Sequence, residues 1–96
     1  MHTVKIKNKT YSVLFSMRAL SAFEQAAGIA LASMDFEKMS LMQLSQLCIE
    51  GLRAGGYKAK KPLNDSEDAE WFLDAMDEDP GLLSKVIDAF KKEKKK

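Results

Sequence analysis

The sequence predicts a small α+β domain, mostly helical, in which an N-terminal β-hairpin leads into about four helices. Three observations carry this. Apolar and polar residues alternate from Thr3 to Lys7 and again from Tyr11 to Phe15, the period of a half-buried strand. Helix-start residues recur at Ser16, Ser40 and Asp79-Pro80, each followed by apolar residues at helical spacing. A length of 96 residues leaves room for one core. The spans read as one hairpin-plus-helices domain over 1–90 and a basic tail over 91–96.

Each element has a local reason. Asn8-Lys9 is the turn candidate, with Val4 and Ile6 on one face of the first strand and Tyr11, Val13 and Phe15 on one face of the second. A two-stranded hairpin is marginal alone, so it should rest on helices. Ser16 caps the first helix and Gly28 stops it, with Met17, Leu20, Phe23 and Ala27 on the inner side. Ile29 to Met39 reads as an irregular link with a helical turn at Phe36 to Met39. Ser40 and Gln43 form a capping box for a second helix, expected to end near Ala54 before Gly55-Gly56. Its apolar arc, from Leu41 and Met42 through Leu44, Leu47, Cys48 and Ile49 to Leu52, exceeds half the circumference. Such a helix is central in its fold or shared with a partner. Gly51 within that arc allows close approach of another element.

Tyr57 to Leu63 reads as a basic loop closed by Pro62. Asn64 to Ser66 supplies caps for a third helix at roughly Glu67 to Met76, with Ala69, Phe72, Leu73 and Met76 inward and Trp71 off that face. Glu67, Asp68 and Glu70 then suit the helix dipole. Asp79-Pro80 opens the fourth helix, with Leu83, Val86, Ile87 and Phe90 as its core stripe. Leu20, Phe23, Leu44, Leu47, Phe72, Leu73, Val86 and Phe90 should share one core.

Composition narrows the function. No run of about 18 apolar residues is present, so no membrane span is expected. The alternating N-terminal pattern is a strand rather than a secretion signal. Cys48 is the only cysteine, which fits a reducing cytoplasm. Net charge is +1, yet eight acidic and no basic residues fall between Asp65 and Asp79. That acidic stretch opposes binding to a phosphate backbone. His2 is the only histidine, at a terminus expected to be loose, and Cys48 lies in an apolar arc. Neither a nucleophile pair nor a zinc site can be assembled from them. Asp74 to Asp79 lacks the ligand spacing of a calcium loop, and no glycine-rich phosphate loop exists. The chain therefore reads as non-enzymatic and cofactor-free.

Two groups of residues read as candidate partner-binding positions. Met34, Met39 and Met42 around Phe36 form a pliable apolar group, with Ile49 from the wide arc of the second helix. The plainer reading has the methionines filling an irregular core. Trp71 is the other candidate, the alternative being partial burial against the hairpin.

The order of motifs resembles the small tail assembly chaperones of long-tailed bacteriophages and prophages. The segments that carry it are Tyr11-Ser12-Val13-Leu14-Phe15, Ser16-Met17-Arg18-Ala19-Leu20 with Phe23-Glu24, Leu47-Cys48-Ile49-Glu50-Gly51-Leu52-Arg53-Ala54-Gly55, and Met76-Asp77-Glu78-Asp79-Pro80. Ala30 to Lys38 and the Trp71 region are not part of it. The resemblance implies a chaperone of the bacterial host cytoplasm that keeps the apolar helices of a tape-measure protein soluble and helps recruit tail-tube protein. It implies no cofactor and no catalytic residue, and a homo-oligomer is compatible with it. The family often makes a longer second product by programmed frameshift. Lys91-Lys92-Glu93-Lys94-Lys95-Lys96, encoded by A-rich codons, is where such slippage is expected; a solubilising tail is the plainer account. Two other classes compete. One is a small DNA-associated phage regulator, using Gly55-Gly56 as a turn between helices beside Lys58, Lys60 and Lys61. The other is a structural tail or capsid adaptor.

Overall fold

The computed structural model describes residues 2–93, with the side chain of Leu31 left aside. Strands β1 (His2–Ile6) and β2 (Lys9–Val13) pair antiparallel, with Val4 opposite Tyr11 and Ile6 opposite Lys9. His2 is thus the first strand residue, opposite Val13, and not a loose end. The turn is Lys7-Asn8, one residue earlier than expected, with φ of 51° and 67°. Two successive left-handed residues make a turn whose twist matches that of the strands. Val4, Ile6, Tyr11 and Val13 are buried, as is Phe15 just beyond β2.

Helix α1 (Met17–Ala27) has the expected ends. The Ser16 hydroxyl accepts from the Ala19 N–H, and Gly28 takes a left-handed φ of 71°. Ala19, Leu20 and Phe23 are buried, but Met17, expected inside, is 71 % exposed. As the first helical residue it leans toward the open N-terminal end, beyond the packed stripe. Two short 3₁₀ turns, Leu31–Ser33 and Phe36–Lys38, form the link.

Helix α2 (Leu41–Lys58) opens with the capping box bonded in both directions. It does not stop at Gly55-Gly56 but runs through both glycines. The reason is close backbone approach. A Cβ on Gly55 would stand 2.2 Å from the Ser12 carbonyl oxygen, and one on Gly56 would stand 2.7 Å from that of Lys61. A Cβ on Gly51 would press into the Phe15 ring at 2.6 Å. The Leu14 N–H donates to the Gly51 carbonyl at 3.0 Å, fastening the hairpin exit to this bare stripe. The helix ends instead on Lys60 in the left-handed region, φ 62°. The Lys61 N–H donates to Gly56 O and the Lys60 N–H to Tyr57 O, a Schellman stop without glycine.

Helix α3 (Ala69–Glu78) starts later than expected, because Asp68 is its cap, accepting from the Trp71 N–H at 3.0 Å. Helix α4 (Leu82–Glu93) also starts late. Asp79 ends α3, and its carboxylate accepts from the Gly81 N–H and pairs with Lys85 at 3.1 Å. Lys91, Lys92 and Glu93, assigned from sequence to a tail, belong to α4. Both carboxylate oxygens of Glu93 accept from the Phe15 N–H at 3.2 Å. Lys94 to Lys96, and the slippage expectation that rests on them, lie outside the described residues.

Helix α2 is central and packs on α1, α3, α4 and β2. Leu20, Phe23, Leu47, Phe72, Val86 and Phe90 are buried in one cluster. Burying each such side chain contributes about 1.5–3 kcal/mol. Leu44 sits at the cluster margin. Leu73, expected inside, is only half-buried and stands apart from the cluster. Leu41, also expected inside, is 61 % exposed because it is the first residue of α2.

Candidate interaction surface

The start of α1 lies beside the end of α2, and small residues face each other there. Ala19 and Ala22 from α1 and Ala54 from α2, with Leu14, floor an open groove of about 390 Å³. Small side chains on facing helices leave an unfilled channel where larger ones would interdigitate. Arg18, Arg53 and Lys58 stand on its rim with Tyr57, which is 77 % exposed. Glu50 is the one carboxylate on that rim, and it pairs with Arg53 at 2.9 Å. A second shallow recess lined by Tyr57, Lys58, Lys60 and Pro62 continues the basic surface around the end of α2. The groove is thus apolar below and cationic above, a shape suited to an amphipathic helix with acidic flanks.

The residues singled out from sequence are spread differently. Ile49 is 1 % exposed and lies in the core, so it offers no partner surface. Met39 is buried too, and Met34 and Phe36 are half-buried against the core. Phe36 meets Phe90 edge to face with centroids 5.4 Å apart. These residues close the irregular link over the core, the plainer of the two readings. Met42 is 39 % exposed beside exposed Leu41 at the opposite end of α2 from Tyr57. Trp71 is half-buried against Tyr11, centroids 5.6 Å apart, with Lys7 over its ring at 6.0 Å. The hairpin therefore covers one face of the indole.

Sequence reasoning placed Glu67 in the first turn of a helix; the structure buries it outside α3. The Tyr11 hydroxyl donates to its Oε2 at 2.5 Å, and the Asn64 N–H donates to Oε1 at 2.8 Å. Burial alone would raise the Glu67 pKa. The two donated hydrogen bonds and the charge of Lys9 outweigh it and hold the carboxyl below its ordinary value. Burial, then the bond and charge of Glu67, pushes Tyr11 up to about 12. This pair ties the hairpin to the segment before α3 and is structural. Burial likewise raises the Cys48 thiol far above its ordinary range, so it is no nucleophile. Among the described residues no group of three or more metal-binding side chains comes together. No helix among them is long and apolar enough to cross a membrane. No protein-family model, curated protein or solved structure matches the chain.

Proposed function

We propose that this protein is a non-catalytic tail assembly chaperone of a long-tailed phage or prophage, acting without a cofactor in the bacterial host cytoplasm. It holds apolar helical segments of the tape-measure protein in solution and assists the addition of tail-tube protein. The ordered motifs from Tyr11 to Pro80 support the family, and the open α1–α2 groove is the observation that supports helix binding. A chaperone of helices needs an apolar channel that its own core leaves unfilled, on a surface charged enough to stay soluble. Of the two features behind the regulator alternative, Gly55 and Gly56 lie inside α2 and form no inter-helix turn; the neighbouring lysines remain.

The test is co-expression with the tape-measure protein encoded in the same tail gene cluster. The tape-measure protein should partition to the soluble fraction with this chain and to the pellet without it. Ala54→Leu, which fills the groove, should return it to the pellet while leaving this chain folded. Soluble tape-measure protein regardless of Ala54→Leu would sink the groove assignment. Presence of the chain in purified virions would favour the structural adaptor instead. Tight, salt-sensitive binding to duplex DNA would favour the regulator.

A further inference from the structure

The second strand outlasts the helix it leans on. Leu14, just beyond β2, donates its N–H to Gly51 O, and the Ser12 carbonyl abuts Gly55. Four helical residues advance about 6 Å and two strand residues about 6.8 Å, so α2 and β2 run in step. The next step sets Ala59 beside Thr10. Ala59 is the cap of α2, and at Lys60 the backbone turns left-handed and away. Alternate residues of a strand aim their N–H and C=O to the same side, so Thr10 aims both outward, as Ser12 does. Among the described residues neither group has a partner outside the hairpin. A recess of about 340 Å³ opens there, between Thr10, Ala59 and the returning segment Lys61-Pro62-Leu63. That is the small end of the range for ligand sites. Leu52 and Leu63 give it apolar walls, Lys9 and Lys61 give it two cations, and no carboxylate lines it. Both lysines are exposed and hold no ion pair among the described residues. The Lys9 ammonium lies 5.3 Å from the Tyr11 ring centroid. Glu67, whose charge Lys9 also feels, is already taken by Tyr11 and Asn64.

We infer that this recess binds the free carboxyl terminus of a partner protein as a short added strand. Main-chain groups of the partner's last residues pair with the Thr10 N–H and C=O, extending the sheet from its β2 edge. The last side chain rests on Leu52, Pro62 and Leu63, and the α-carboxylate meets Lys9 and Lys61. A chain end brings extended backbone, an apolar side chain and an anion within one residue, and the recess matches all three. An internal acidic segment places its charge on a side chain, where the apolar wall needs a hydrocarbon one. A small inorganic anion would use the lysines and leave the strand edge and the wall uncovered. The recess shares no lining residue with the α1–α2 groove, so this inference does not rest on the tail-assembly reading.

The probe is a soluble peptide library with its last few positions randomised and its carboxyl ends free, beside the same library amidated. The full chain, immobilised, should retain free-acid peptides that end in an apolar residue, with Kd between about 10 μM and about 1 mM. The amidated forms of those peptides should bind at least about tenfold more weakly. Lys9→Gln combined with Lys61→Gln should weaken the free acids by about as much, and Ala59→Phe, which fills the recess, should abolish their binding. Ala54→Leu, in the separate groove, should bind them as the wild type does. In the wild-type chain the bound peptide should slow hydrogen exchange at the Thr10 amide. Circular dichroism confirms that the variants are folded. No enrichment from the free-acid library, equal retention of the amidated peptides, or binding untouched by the paired lysine substitutions each overturns the inference. Loss of binding in Ala54→Leu overturns it in favour of the groove.

Discussion

Helix α2 shows small residues on two of its sides, and the two sides are used in opposite ways. On one, Gly51, Gly55 and Gly56 let backbone and the Phe15 ring come so near that no Cβ would fit. On the other, Ala54 faces Ala19 and Ala22 across a groove that stays open. Glycine here admits another part of the same chain and closes a seam. Alanine keeps the helix well formed yet withholds the bulk that would fill the gap. Small residues on a helix therefore report close approach in one place and vacancy in the other. Which applies depends on whether the next element of the chain covers them.

Exchanging size across the two sides tests this most directly. Gly55→Ala adds only one methyl, but into the Ser12 carbonyl, and should cost about 3 kcal/mol or more in denaturant unfolding. A loss below about 1 kcal/mol would mean that the seam yields. Next in size is Glu67→Gln, expected to cost about 1–3 kcal/mol by weakening the Tyr11 and Asn64 bonds. Its pH dependence has a definite sign. The folded-state carboxyl is held low, so its contribution is full above the ordinary glutamate range and is lost as pH falls through the folded value. The wild-type chain should therefore lose stability more steeply on acidification than Glu67→Gln, measured by urea midpoints across that range. Tyr11, raised to about 12, adds a separate loss as pH climbs from about 10 toward 12.

Lys60→Gly sharpens the comparison from the glycine side. It relieves a left-handed residue that carries a Cβ, and should stabilise by about 1 kcal/mol. The smallest effect belongs to Ala54→Leu, adjacent in sequence to Gly55. It should change unfolding stability by no more than about 0.5 kcal/mol, since the groove is open, while abolishing whatever the groove binds. A large destabilisation would show that the groove is filled in the folded monomer.

Features set by neighbouring residues were legible in the sequence. The alternation of the strands, the Ser16 cap with its Gly28 stop, and the Ser40–Gln43 box each follow from contacts within a few positions. The departures come from partners far along the chain. Gly55-Gly56 reads locally as a helix stop, and the packing of Gly55 on Ser12 of β2 makes it helix interior. Glu67 reads as a dipole-favouring residue, because Tyr11 lies 56 positions away. The candidate site was legible least of all. Methionines and aromatics drew attention to Met34, Phe36 and Met39, which close over the core. Ala19, Ala22 and Ala54 gave no such signal, because a groove made by missing bulk becomes visible only once two helices are known to face each other. Trp71 was legible as lying off the inner face, and the hairpin supplied its cover.

The contact between Phe15 and Glu93 sets the order of events during synthesis. The two are 78 positions apart, and Phe90, one turn earlier on α4, packs edge to face on the Phe15 ring at 5.0 Å. At about 5–20 residues per second, a ribosome takes roughly 4 to 16 s to pass from one to the other. In the later part of that interval, once α2 has been made and before α4 is complete, the hairpin exit has its glycine seam but not its lid. The nascent chain therefore displays Phe15, and the backbone N–H that Glu93 will later receive, to whatever holds emerging chains in the cell. The domain closes only when its last helix arrives.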